Sequence, residues 1–461
     1  MVNKKHQQEN TLKNNERNES AMELISSYRC KIMHMNDALV PTITIYRKAL
    51  SFLIPIVDNE WDAISTIRFL NKKNSFVEHL IHSTKDNTAK YLEFDKLFYK
   101  FPSYLRRAVI SEAIGIVSSH RSNYKNWVEN GKNGECPKLQ TEHFAAPVFY
   151  KDNCYETTKN SNIVMLKLFH NNDWVWMPVK LRATDVKYIK NKISRCKKIL
   201  SPVLEKQGKY YYLRFAFTEK ISLNKTDIES QIIVAVDLGL NNDAVCSIMN
   251  ANGTVLNRKF INFNSEKDRL HHTLNKIKKA QKQHHSVKNL WRYAVNCNEQ
   301  HSIKVATAIV EYAMLYNAHC IVFEYLDTNG KKHGSKKQIL AMWRKQYIQD
   351  LVTHKAHREG IRISRICAWN TSKLAYDGSK EVVRNKENHS ICKFTNGKVY
   401  NCDLSASYNI GARYYIREIL KTLPAKIRSQ VEAKVPELAK RTSCTLSTLI
   451  NLNAVLKEVT L

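Results

Sequence analysis

Three carboxylates stand at the ends of short apolar segments, and together they could hold metal ions. Asp237 closes the run Ile232-Ile233-Val234-Ala235-Val236, Glu324 closes Cys320-Ile321-Val322-Phe323, and Asp403 opens DLSASYNIGARYYIREIL. Carboxylates gathered in one place repel one another and stay ionised only when cations neutralise them. Their hard oxygen ligands suit Mg²⁺, with Mn²⁺ as a substitute. Two such ions about 4 Å apart would stabilise the attacking and leaving oxygens of a phosphodiester displacement. Taken singly, Asp237 also reads as an aspartate capping a turn.

The elements around these acids decide whether they can meet. The unbroken apolar run before Asp237 suits a strand buried on both faces. Gly239 and Asn241-Asn242 supply turn chemistry, and Ala244 to Met249 reads as a second apolar strand, so a hairpin is expected there. Cys320 to Glu324 is another short strand, preceded by a helical pattern ending in AIVEYAMLYNAH. Ala406, Ile410 and Tyr414 recur at helical spacing, which makes Asp403 an N-cap or first-turn acid. One acid from a first strand, one from a later strand and one at a helix start would converge at one edge of a mixed sheet. A ribonuclease-H-like nuclease binds its metals in this way.

In that order, DLGLNN, IVFEYLD and DLSASYNIG resemble the three split RuvC motifs of transposon-encoded TnpB proteins and of compact type V CRISPR effectors. The likeness continues through Leu351, Lys355-Ala356 and Gly360-Ile361. It covers Ile232 to Arg417 and extends to the N-terminal half only in outline. The resemblance implies that Asp237, Glu324 and Asp403 are catalytic ligands of two Mg²⁺ ions. It implies as partners a guide RNA with a structured scaffold and a double-stranded target DNA. It is compatible with a homodimer, and with either a transposon-associated role or antiviral defence.

Composition points to the same partners. The 461 residues carry 73 Lys and Arg against 42 Asp and Glu, a formal net charge of +31. Such an excess suits a polyanion, and 22 Tyr, 15 Phe and 7 Trp offer stacking platforms for unpaired bases. The charge is spread along the chain instead of lying on one amphipathic helix, which argues against a membrane surface. No apolar run approaches the ~18 residues that span a bilayer, and the N-terminus lacks the apolar core of a signal peptide. A cytoplasmic protein of a prokaryotic cell is expected. Eleven cysteines, none in a CxxC pair, show neither a disulfide framework nor a zinc knuckle.

The expected fold is multidomain α+β: a RuvC-like α/β domain preceded by a small β-barrel with an inserted helical lobe. Residues 1–20 read as a disordered basic tail. Residues 21–40 would give the first strand of the barrel, which the resemblance identifies as a wedge. Residues 41–140 are helical, a recognition lobe by resemblance, with Arg106 and Arg107 as nucleic-acid contacts. Residues 141–228 hold short strands separated by polar turns, the body of the barrel, with Lys187, Lys190 and Arg195 on a basic helix. Residues 229–420 form the nuclease-like domain. In it a helical hairpin carries Lys278, Lys279 and Lys282, and Leu270, Leu274, Ile277 and Trp291 are its packing positions. Lys336 and Lys337 sit on a glycine- and lysine-rich loop after Glu324, where the family carries a lid. Residues 421–461 form a C-terminal helical extension.

One stretch departs from the family. Between the second and third motifs the family places a zinc ribbon built from two CxxC pairs. Residues 365–402 offer only Cys367, His389, Cys392 and Cys402, at spacings unlike two knuckles. No zinc is expected there, but a metal-free hairpin packed by Trp369, Tyr376, Phe394 and Tyr400. The adjacent pairs His271-His272 and His284-His285 point to different sides of a helix and give no metal site. The activity this sequence implies is an RNA-guided DNA endonuclease of RuvC type. The alternatives are an RNA-guided binder that represses without cutting, a guide-independent nuclease or transposase, and a basic nucleic-acid-binding protein with structural acids.

Overall fold

The computed structural model describes residues 21–34, 36–160, 162–193, 196, 198–325, 342, 344–385, 387–388 and 390–460. The tail 1–20, Arg195, the loop carrying Lys336 and Lys337, and His389 lie outside the described residues. The chain divides into two compact units, one spanning Ile25–Lys220 and the other comprising the remainder.

The first unit combines helices with two β-sheets. Strand β1 (Ala21–Lys31) precedes five helices: α1 (Leu39–Asn59), α2 (Trp61–Thr66), α3 (Leu70–Ile81), α4 (Glu93–Leu97) and α5 (Ser103–Glu129). Leu39, Ile43, Tyr46, Leu50, Leu53 and Val57 recur every three or four positions on α1. All are buried, so α1 lays one apolar stripe against α5. By length and composition alone α1 could cross a membrane, contrary to the reading that no segment comes close. Half of its apolar window is buried inside the protein.

The strands of this unit follow. Strands β2 (Tyr155–Thr157), β3 (Ile163–His170) and β4 (Asp173–Lys180) form one three-stranded sheet, and helix α6 (Ala183–Ile193) comes next. In the other sheet β7 (Tyr210–Ser222) is central and pairs with β1, β5 (Lys198–Ile199) and β6 (Val203–Gln207). Isolated bridges at Ile32–Leu181 and Val148–Val203 supplement the two sheets.

The second unit is built on a five-stranded mixed sheet of order β10-β9-β8-β11-β12. The members are β8 (Ile232–Asp237), β9 (Ala244–Asn250), β10 (Val255–Ile261), β11 (Cys320–Tyr325) and β12 (Arg362–Cys367). Strands β8, β9 and β10 make an antiparallel meander, and β11 lies parallel to both β8 and β12. Both faces of β8 are covered, which explains its unbroken apolar sequence. Ile233 and Ala235 belong to one core cluster, with Tyr408, Ala412 and Tyr415 of α10 (Cys402–Thr422). Val234 and Val236 belong to another, with Val305, Ile309 and Ala313 of α8 (Lys288–Leu315).

Helix α7 (Asn264–Lys282) pairs with α8 as a hairpin whose contact is Leu274, Ile277 and Ala294, flanked by Leu270 and Trp291. Helix α9 (Lys345–Arg358) connects β11 to β12. A small sheet of β13 (Val383–Arg384), β14 (Ile391–Lys393) and β15 (Val399–Asn401) leads into α10, and α11 (Ala425–Lys434) and α12 (Leu446–Thr460) end the chain.

The approach of α10 to the sheet depends on Gly411. A Cβ built there would collide with Met249 Sδ and stand 3.2 Å from Ala235 Cβ. Gly411→Val should therefore force the helix off the strand that carries Asp237 and destabilise the protein by about 1–3 kcal/mol. A melt that matches the wild type within error would contradict this reading of the contact.

The hairpin of the ribbon-like insertion packs differently from expectation in one respect. Tyr376, Phe394 and Tyr400 meet edge-on or tilted, with ring centroids 5.1–6.0 Å apart, around buried Cys392 and Cys402. Trp369, by contrast, is 69% exposed and takes no part in that core. Its place in the turn after β12 points the indole outward, and Tyr376 occupies the centre.

Candidate active site

The three acids arrive from three elements of the second unit. Asp237 is the last residue of β8, Glu324 the fifth of the six in β11, and these strands run parallel, with Phe323 in register with Val236. Parallel pairing brings both carboxylates to the same edge of the sheet. Asp403 is in the first turn of α10. The side chain of Asn401 caps the helix, accepting a hydrogen bond from Leu404 N at 2.9 Å, so Asp403 is free of capping duty.

The acids also interact electrostatically. Burial, then Glu324, then Asp403 push the Asp237 carboxyl well above the usual carboxylate range, and the exposed Arg384 opposes them only in part. Burial also raises Glu324, against a hydrogen bond from Thr371 Oγ1 and the charges of Arg413 and Lys345. Asp403 Oδ2 accepts from Asn242 Nδ2 at 3.3 Å. Among the described residues no three His, Cys, Asp or Glu side chains form a ready group for a metal ion. Glu324 is engaged by Thr371 and Asp403 by Asn242.

The turn after Asp237 is held by a second carboxylate. Gly239 is required there, because a Cβ would meet Asn242 O at 2.9 Å. Asp243, buried, accepts from Phe263 N at 2.8 Å and faces His301 Nε2 at 3.1 Å and Lys267 Nζ at 3.2 Å. Lys267 in turn donates to Asn241 O at 2.5 Å and Asn262 Oδ1 at 2.6 Å. Burial opposes the Asp243 charge, yet His301, Phe263 N and Lys267 outweigh it and hold the carboxyl below its ordinary value. A depressed carboxyl stabilises the fold above the unfolded pKa of about 3.9 and loses that contribution as pH falls through the folded value. Asp243→Asn should cost about 2 kcal/mol at neutral pH. The gap between the two proteins should close below about pH 4. Melts of the two proteins at neutral and acid pH check both statements.

Other residues support the acids, and of these only Asn409, which falls in its matching place within the third motif DLSASYNIG, stood out in the sequence. Asn409, fully buried, donates to Thr371 O at 3.0 Å and Leu374 O at 2.9 Å, and so fixes the segment whose Thr371 holds Glu324. Gln349 donates to Glu324 O at 3.0 Å and receives Arg365 Nε at 3.0 Å. Buried Arg413 spans four carbonyls: Cys367 at the end of β12, Trp369 just after it, and Thr442 and Cys444 before α12, at 2.7–3.0 Å. The available signal was two polar residues at i, i+4, Asn409 and Arg413, inside an otherwise apolar helix.

Comparison with known proteins bears on the fold. The Aq_aa04 family model matches residues 26–170. No curated protein matches in sequence. Among solved structures, a Cas12f1–sgRNA–target DNA complex aligns with a TM-score of 0.52 at 14% identity, covering 81% of each chain. The mini-RNA-guided endonuclease CRISPR-Cas_phi3 aligns at 0.50 and 10% identity, over 84% of this chain and 92% of that one. The chain has a compact type V CRISPR effector-like fold.

The basic residues read from the sequence fall in different settings. Lys187 and Lys190 are exposed on α6, and Lys278, Lys279 and Lys282 are exposed on or at the end of α7. Arg107 is half-exposed and pairs with Glu78 at 3.3 Å. Arg106 departs from the expectation. It is 7% exposed and gives two hydrogen bonds to Glu78, at 2.9 and 3.1 Å, so it faces the helical core and not solvent. Of the four residues weighed for zinc, Cys367 is exposed, while Cys392 and Cys402 are buried.

Proposed function

We propose that this chain is an RNA-guided DNA endonuclease that cuts at Asp237, Glu324 and Asp403. The observation that carries the reading is the parallel register of β8 and β11, which sets Asp237 and Glu324 at one edge of the mixed sheet, where the charges of Glu324 and Asp403 push the Asp237 carboxyl up, within a type V effector-like fold. In this reading residues 229–420 are a RuvC-type domain. The sheets of the first unit supply the wedge, and residues 41–140 supply the recognition lobe. Base pairing with a guide RNA would give sequence specificity, and the protein would read heteroduplex shape and a short flanking motif.

The donor set fits a hard divalent cation in chemistry: three carboxylates, with the Asp237 carboxyl pushed up by burial and by the charges of the other two. Asp237, Glu324 and Asp403 would hold two Mg²⁺, with Mn²⁺ able to substitute and no zinc required. When bound, the ions supply activation of water and charge stabilisation for the departing 3′-oxygen. Thr371 and Asn242 keep Glu324 and Asp403 oriented until then, and exposed Arg384 adds positive charge beside Asp237. Because the acids are engaged by neighbours, a guided binder that represses without cutting is the second reading.

The guided class is tested by expressing the protein with its native flanking DNA and sequencing the RNA that co-purifies. A discrete RNA with a constant scaffold and a variable end is expected. Random fragments alone would move the assignment to a guide-independent nuclease.

A further inference from the structure

A cavity of about 480 Å³ opens at the carboxyl ends of the parallel strands β11 and β12, where α10, α11 and the approach to α12 meet. That volume lies in the range of about 300–1,000 Å³ of small-molecule sites, and strand carboxyl ends are a recurrent place for ligands. Six cations line it, Arg365, Arg413, Arg417, Lys421, Arg428 and Arg441, against one carboxylate, Glu432. Several are committed to the protein. Arg413 serves carbonyls, Arg417 donates to Arg365 O at 2.8 Å, and Lys421 pairs with Glu418 at 3.0 Å. Arg428, half-exposed, pairs with Glu432 at 2.8 Å, and Arg441 is exposed. Like charges gathered this way oppose one another unless an anion sits among them.

The cavity is also part apolar, with Ile416 and Leu438 in its lining, and Tyr325, next to Glu324, stands 68% exposed at its edge. Arginines for phosphate, an aliphatic floor and an exposed aromatic ring are the parts that grip a nucleotide of an unpaired strand. We propose that this cavity holds a nucleotide of the single DNA strand that leads to Asp237, Glu324 and Asp403. Its phosphate faces Arg428 and Arg441, and its base lies against Tyr325. The identity of the strand rests on the nuclease reading. Arg428 and Arg441 come from the C-terminal extension, to which the motifs assigned no role.

The test uses the full chain carrying Asp237→Asn, so that the probe is not cut, and a short end-labelled single-stranded DNA followed by fluorescence anisotropy over a range of KCl. Adding Arg428→Gln and Arg441→Gln should weaken binding about tenfold and flatten the slope of log affinity against log salt by roughly 1.4, from two lost phosphate contacts. Tyr325→Ala should weaken binding about fivefold or more. The arginines are solvent-facing, and melting curves verify that the variants stay folded. Unchanged affinity and salt slope in the double arginine variant would overturn the proposal. Guide-directed cleavage by the otherwise unmodified chain is measured alongside. Its absence would remove the nuclease reading, and the binding comparison would still judge the cavity by itself.

Discussion

Asp237→Asn is expected to lower DNA cleavage by at least about a thousandfold, some 4 kcal/mol of barrier, while guide RNA and target DNA affinities stay within about twofold. The substitution removes a metal-ligating charge and no phosphate contact. Stability gives an independent signature. Burial, Glu324 and Asp403 raise the Asp237 carboxyl in the fold. A raised carboxyl costs nothing below the unfolded pKa of about 3.9 and destabilises the metal-free protein increasingly as pH rises above it. At neutral pH, without divalent ions, the variant should therefore melt higher than the wild type. Adding Mg²⁺ should raise the wild-type melting temperature by linkage and leave the variant nearly unmoved. Equal responses of both proteins to Mg²⁺ would mean that Asp237 holds no metal and serves as a turn residue.

Arg413→Lys should be nearly as damaging as outright deletion of the side chain. The guanidinium joins Cys367 and Trp369 to Thr442 and Cys444 through four carbonyls. A lysine ammonium is a compact point charge that cannot span both segments, and the carbonyls it abandons are left buried without donors. A loss of about 3–5 kcal/mol is expected, read as a fall of about 6–20 °C in the melting temperature. Hydrogen exchange should locate the opening in the turn after β12 and the approach to α12. Arg441→Gln, on the exposed wall nearby, should change stability by less than about 0.5 kcal/mol. If Arg413→Lys melted like the wild type, the four carbonyls would have other donors and Arg413 would not be the tie between these segments.

What the sequence made legible was whatever rested on periodicity and on chain order. The apolar run before Asp237 signalled a doubly covered strand, and β8 is one, dividing its side chains between two cores. Helical spacing through Leu270, Leu274 and Ile277 marked the face that closes the α7–α8 hairpin. Contacts between segments distant in sequence were not legible. Arg106 shared a helical pattern with Arg107, but only the position of Glu78 in α3 makes it a buried ion-pair partner. Trp369 looked like core by its size, and the turn after β12 turned it outward. Asn409 and Arg413 bond to carbonyls at least 29 positions away, and no local pattern encodes such partners. The cationic cavity is of the same kind, assembled from β12, α10 and the C-terminal extension.

The central claim, guided and metal-dependent cleavage, is tested most directly with the purified ribonucleoprotein and two plasmids. One carries a sequence matched to the co-purified guide beside a randomised flank, and the other carries a scrambled match. With Mg²⁺, the matched plasmid should be nicked or linearised for a subset of flanks. The scrambled plasmid, and the matched plasmid in chelator, should remain supercoiled. Retention of the matched plasmid without any break, under the same Mg²⁺, would contradict the nuclease assignment and leave a guided binder. Equal cutting of both plasmids would contradict the guide.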